Sequence, residues 1–163
     1  MRDLRSDSGK DQALLMFLFV FGGFLFVLYG DSLMRFAQLE SGKAWKMISL
    51  VLLLDAAFAA SVTANVVFPL LTGAFGFLAA FGTKEILELS AADAALWKPK
   101  LLILLLFVPA HFVLSARGME NASAMRDAMR ARGALSWKTC LFPYAVIWVG
   151  PAAALLSRHL LKL

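Results

Sequence analysis

"LVLLLDAAFAASVTANVVFP", residues 50–69, is an apolar run with an aspartate, Asp55, near its front and the polar residues Thr63 and Asn65 further along it. How this stretch divides decides how often the chain reverses. It belongs to a longer segment, residues 47–82, that contains no Lys, Arg or Glu. An ordinary spanning helix takes about 20 residues, so this segment exceeds one span. Pro69 and "TGAFG" (72–76) interrupt it. One layout ends a span near Phe68 and starts a short piece at Leu70. The other is a single long helix bent at Pro69. The piece from 70 to 81 is short for crossing unaided, so one broken element is the favoured reading.

Outward from this segment, three further apolar runs cover about 13–33, 100–116 and 139–157. The expected fold is all-α. It is a single polytopic membrane domain over residues 1–163 with four transmembrane helices (13–33, 47–68 with a broken continuation to 82, 100–116 and 139–157). A fifth is added if 70–82 crosses separately. Short interfacial helices are expected between them, one of them in "GTKEILELSAADAALWKPK" (82–100). The N-terminus has the charge-then-apolar layout of a signal peptide. Its apolar core from Ala13 to Gly30 exceeds a typical h-region, and no small-x-small site follows, so it reads as a retained span.

Composition supports this. Of 163 residues, 61% are hydrophobic, 14 are Phe, and mean hydropathy is +0.76, against about 45–50% apolar in soluble domains. The net charge of +5 sits mostly at the flanks of apolar runs, at Lys46, Lys98, Lys100, Lys138 and Lys162. There it reads as headgroup anchoring, not nucleic-acid binding. Lys and Arg divide equally between the two sides of a four-span layout. The positive-inside rule therefore rests on the dense 117–138 connection, expected on the cytoplasmic side. The single cysteine, Cys140, excludes an intrachain disulfide and a multi-cysteine metal site.

Asp55 is the first candidate site, because a carboxylate at membrane depth costs roughly 3 kcal/mol and so has a partner or a role. On an unbroken helix Asp55, Ala59 and Thr63 share a face, with Asn65 beside it, and Ala56, Ala60 and Ala64 form a small-residue ridge. Asp55, Thr63 and Asn65 are thus ion or proton candidates, and the face is equally a helix-packing surface. His111, beside Pro109, is a relay or packing candidate. A haem shared with His159 is excluded by their depths on antiparallel spans, roughly 20–25 Å apart. No metal or other cofactor is expected, and no nucleophile–base pair, P-loop or dinucleotide fingerprint is present. "NAS" (121–123) matches a glycosylation acceptor.

The connection "ENASAMRDAMRARG" (120–133) is organised as a helix, with Asn121 or Ser123 as cap, Gly133 as stop, and Ala122, Met125 and Met129 as an apolar stripe. Arg117, Arg126, Arg130 and Arg132 make it a candidate partner- or lipid-binding surface. "AMRARG" (128–133) resembles the Ala-Arg-Gly coupling motif of energy-coupling-factor transporter T components, with "SARG" (115–118) as a second copy. In that family the motifs dock on ATPases, which implies a protein partner here.

Three function classes follow. The first is a small noncatalytic membrane subunit that packs with other membrane helices and presents the 117–138 helix to a partner or lipid surface. The second is a small transporter or channel with an ion- or proton-sensitive Asp55. The third is a membrane enzyme or haem anchor. The expected partners are the lipid bilayer and other membrane subunits or further copies of the chain, with no nucleic acid. The expected setting is the bacterial inner membrane.

Overall fold

The computed structural model describes residues 4–36, 41–59, 61–92, 95 and 97–130. These form four helices: α1 (Leu4–Phe36), α2 (Ser41–Ala59), α3 (Ala64–Ala91) and α4 (Trp97–Arg130). Three of them are long and apolar enough to cross a membrane, over Gly9–Arg35, Ala64–Ala91 and Trp97–Arg130. α2, with 19 residues including Lys43, Lys46 and Asp55, is not among those three. The expected span at 139–157 lies outside the described residues.

The chain reverses at Ser61–Thr63, not at Pro69. Local hydrogen bonding explains why. Ser61 N–H donates to Phe58 O at 2.8 Å, and the Ser61 hydroxyl oxygen accepts from Thr63 N–H at 3.2 Å and lies 2.7 Å from Thr63 Oγ1. These short-range bonds offer the backbone an alternative to helix continuation. Val66 and Val67 N–H then both donate to Thr63 O, which starts α3. Pro69 sits near the front of α3, where its missing N–H removes a single helical bond. α3 therefore runs unbroken through "TGAFG". The expected broken element over 47–82 is in fact two helices packed on each other, and the interfacial helix expected from 82 is the last part of α3.

Residues 117–130 do not form the separately capped loop helix expected, because α4 continues without interruption from Trp97 to Arg130. Its 34 residues extend about 50 Å. Gly118, Met119, Ala122 and Met125 keep an inner face buried well past the apolar run.

The helices alternate in direction. α1 and α3 run parallel and in close contact, because glycines let their backbones touch. A side chain on Gly22 would collide with the Gly73 carbonyl, and one on Gly76 with the Phe19 carbonyl. Phe26 packs edge-on against Phe77 and Phe81 further along. At the far end of this pair Lys84 bonds Asp31 at 3.0 Å. α2 and α4 run the other way, and the core lies where they meet α3, around Ile48, Leu52, Phe68, Phe75, Phe107 and Leu114. α1 contributes Leu15, Phe19 and Phe26 to the packing and turns a broad apolar face outward, including Phe17, Val20, Phe24 and Val27.

Candidate functional site

Asp55, Thr72 and His111 are brought together from α2, α3 and α4, and all three are fully buried at 0% exposure. His111 Nδ1 lies 2.5 Å from Asp55 Oδ2, and His111 Nε2 lies 2.9 Å from Thr72 Oγ1. The Thr72 hydroxyl donates to Phe68 O at 2.7 Å. Its one proton is thereby committed, so Thr72 Oγ1 accepts from His111, and Nε2 carries a hydrogen. That leaves one further proton between Nδ1 and Oδ2. The pair is either imidazolium with carboxylate or imidazole with carboxylic acid. Both have zero net charge, the condition under which such groups are tolerated in an apolar core.

Aromatic rings enclose the imidazole. Phe75 lies 4.5 Å from it, centroid to centroid, and Phe112 lies 5.8 Å away, edge-on. Phe19 of α1 touches both, at 6.1 Å and 5.2 Å. All four helices thus contribute to one enclosure. Two atoms stay unsatisfied among the described residues, Asp55 Oδ1 and Ser115 Oγ. Ser115 is one helical turn beyond His111 on α4, on the same face.

A second polar cluster ties the same three helices at the end where α2 and α4 begin. Trp45 Nε1–H donates to Glu85 Oε2 at 2.7 Å, Lys100 pairs with Glu85 Oε1, and the Lys100 ammonium stands 5.7 Å from the Trp45 ring centre. At the opposite end the Asn65 amide, oriented by its partners, donates to Met119 O at 3.1 Å and accepts from Arg126. Polar contacts therefore join the helices at three levels.

Of the residues expected from the sequence, Asp55 and His111 belong to the site and to each other. Thr63 does not, because the reversal at 61–63 removes it from the Asp55 face to an exposed turn. Asn65 lies on the next helix, with Arg126. The alanine ridge is likewise cut, since Ala64 is buried at the start of α3. Arg117 is exposed and paired with Glu120 at 3.0 Å, and Arg126 turns inward to Ser123 and Asn65. Arg130 is exposed in the last turn of α4, and Arg132 and His159 lie outside the described residues. "SARG" is packing surface: Ser115 is buried, and the Phe68 ring occupies the space a side chain on Gly118 would need. Thr72, Trp45 and Glu85 were not singled out from the sequence, and Lys100 read as a headgroup anchor, not as a partner of Glu85. Thr72 sits in a segment read as a break.

The class these features define is an all-helical bundle with three candidate membrane-spanning helices and a buried acid–imidazole–hydroxyl cluster. Comparison with models of known protein families, with curated proteins and with solved structures finds no match.

Proposed function

We propose that this chain is a small noncatalytic subunit of a membrane assembly, which packs with other membrane helices and presents the far half of α4 to a partner protein. The observation that carries this reading is where the polar chemistry points. Asp55, Thr72 and His111 are fully buried and bond one another across three helices. That arrangement fixes helix positions, and what faces outward is apolar surface, including Phe17 at 64% and Val27 at 76% exposed. Such faces suit lipid and neighbouring helices. Among bacterial membranes the all-helical architecture fits the inner one, since outer-membrane proteins span as closed barrels.

The far half of α4 supports a protein partner over an anionic lipid surface. Arg117 and Arg130 are exposed there together with Glu120 and Asp127, so the described outer face is balanced in charge. Met129, 62% exposed, adds an apolar contact. Purification in mild detergent tests the proposal. A stoichiometric complex, dispersed by charge reversal at Arg117 and Arg130, is the expected result. A chain that purifies as a stable monomer with no partner overturns it.

A second reading, a small ion- or proton-linked transporter, draws on one observation. The bond between Asp55 and His111 holds a transferable proton, and Asp55 Oδ1 has no partner among the described residues. Buried ionisable groups at such depth are frequent in proton relays. Proton flux into vesicles, lost in Asp55→Asn while assembly persists, distinguishes this reading from the first.

A further inference from the structure

We infer that the cleft between α1 and α3 is a binding site for one phospholipid with a primary-amine headgroup. This rests on the placement of the bundle in a bilayer with the Val27 side of α1 facing lipid, and a neighbouring helix seated there would exclude it.

The cleft is an open groove of about 830 Å³, within the range of about 300–1,000 Å³ usual for small-molecule sites. Its floor is made of small residues, Gly23, Gly76 and Ala80, and Phe26 and Val27 wall it. The glycines let the α1 and α3 backbones touch, Gly22 against Gly73 and Gly76 against Phe19, and Gly23 and Ala80 line the seam beside that contact. From Gly76 to Glu88 on α3 the seam runs about 18 Å. That length suits an extended acyl chain lying along the helices.

Polarity changes along the seam in one direction. The part beside Phe19, Val20 and Gly23 is apolar, and the part beside the end of α1 carries Asp31, Lys84 and Glu88. The molecule that fits is therefore apolar along most of its length and charged at one end. Its head meets one cation and two carboxylates. Lys84 suits a phosphodiester, and Tyr29 and Ser32 add hydroxyl donors. Asp31 and Glu88 suit an ammonium that can donate hydrogen bonds. A zwitterionic headgroup with a primary amine satisfies both sets. A quaternary ammonium lacks the N–H donors, and an anionic headgroup leaves the carboxylates unanswered. The Asp31–Lys84 pair is no obstacle. Its side chains are 73% and 48% exposed, and exposed pairs of this kind contribute little and rearrange readily.

The test is photo-crosslinking of the full chain in phosphatidylcholine nanodiscs, with phosphatidylethanolamine bearing a diazirine on its acyl chain. Adducts are expected on cleft residues, Val20, Gly23, Val27 and Ala80. Unlabelled phosphatidylethanolamine should compete about fivefold better than phosphatidylcholine or phosphatidylglycerol, the scale of one or two exposed charge contacts. Asp31→Asn with Glu88→Gln should abolish that preference while adducts persist. Ala80→Phe, which fills the floor, should remove the adducts. Adducts spread evenly around α1, or equal competition by the three lipids, overturn the proposal. So does a photoreactive residue at Val27 that captures protein in place of lipid. Should Ala80→Phe fail to fold, the Asp31/Glu88 variant decides alone, because both its side chains are exposed.

Discussion

His111 Nδ1 and Asp55 Oδ2 are 2.5 Å apart, although the residues are separated by 56 positions in the chain. The contact links α2 to α4, and the other imidazole nitrogen links both to α3 through Thr72. One side chain thereby fixes the relative depth of three helices. Buried pairs of this kind specify an arrangement more than they stabilise it, which is the role expected of a subunit whose outer faces must be presented in register.

The Thr72 hydroxyl bridges His111 and the Phe68 carbonyl, so Thr72→Val removes an acceptor that the imidazole N–H needs. The expected loss is about 1–3 kcal/mol, the cost of an unsatisfied buried donor. Thr72→Ser keeps the hydroxyl and should recover most of it. Thermal unfolding in detergent, followed by circular dichroism, measures both.

At the α1–α3 crossing a side chain has no room. Gly76→Val meets the Phe19 carbonyl and Gly22→Val the Gly73 carbonyl. Each should destabilise by about 1–3 kcal/mol, as overpacking does. Because both open the same contact, the double variant should lose less than the sum. Additive losses would mean that the helices are not held together there.

Glu85 accepts from the Trp45 indole and pairs with Lys100. Glu85→Gln keeps an acceptor for the indole and loses the ion pair with Lys100. Glu85→Ala leaves both donors without their acceptor, one of them a lysine with 16% side-chain exposure. The alanine variant should therefore unfold at a clearly lower temperature than the glutamine variant. Tryptophan fluorescence should shift in Glu85→Ala alone.

The reversal at 61–63 predicts that residue 61 reaches water. In a Cys140→Ser background, Ser61→Cys should react with a membrane-impermeant maleimide from the same side as a cysteine at Lys10. A cysteine at Leu71, half-buried within α3, should not react.

Much of the architecture is legible in the sequence, because apolar run length and flanking charge determine α1 and the first half of α4. The division of residues 47–82 is not. Pro69 is the stronger helix breaker on composition, but it lies inside α3, and the break falls where the Ser61 hydroxyl captures the backbone two residues before Thr63. The same misplacement gave the helices bearing Asp55 and His111 opposite directions, whereas with a reversal at 61–63 they run parallel. Asp55, 9 residues beyond Lys46, lies level with His111, 11 residues beyond Lys100. At about 14 and 17 Å from their boundary lysines the two sit near mid-span in either direction, so depth alone does not say which helix faces which.

The most direct test is a double-mutant cycle on Asp55→Leu and His111→Phe, read by unfolding stability and by recovery of the complex. If the pair is a helix lock, each single variant loses about 3–5 kcal/mol, because each leaves a buried polar group without its partner. The double variant, apolar at both positions, should regain most of that stability and assemble normally. Single variants that are as stable as the parent, or a double variant that folds and assembles yet loses proton flux, would contradict it.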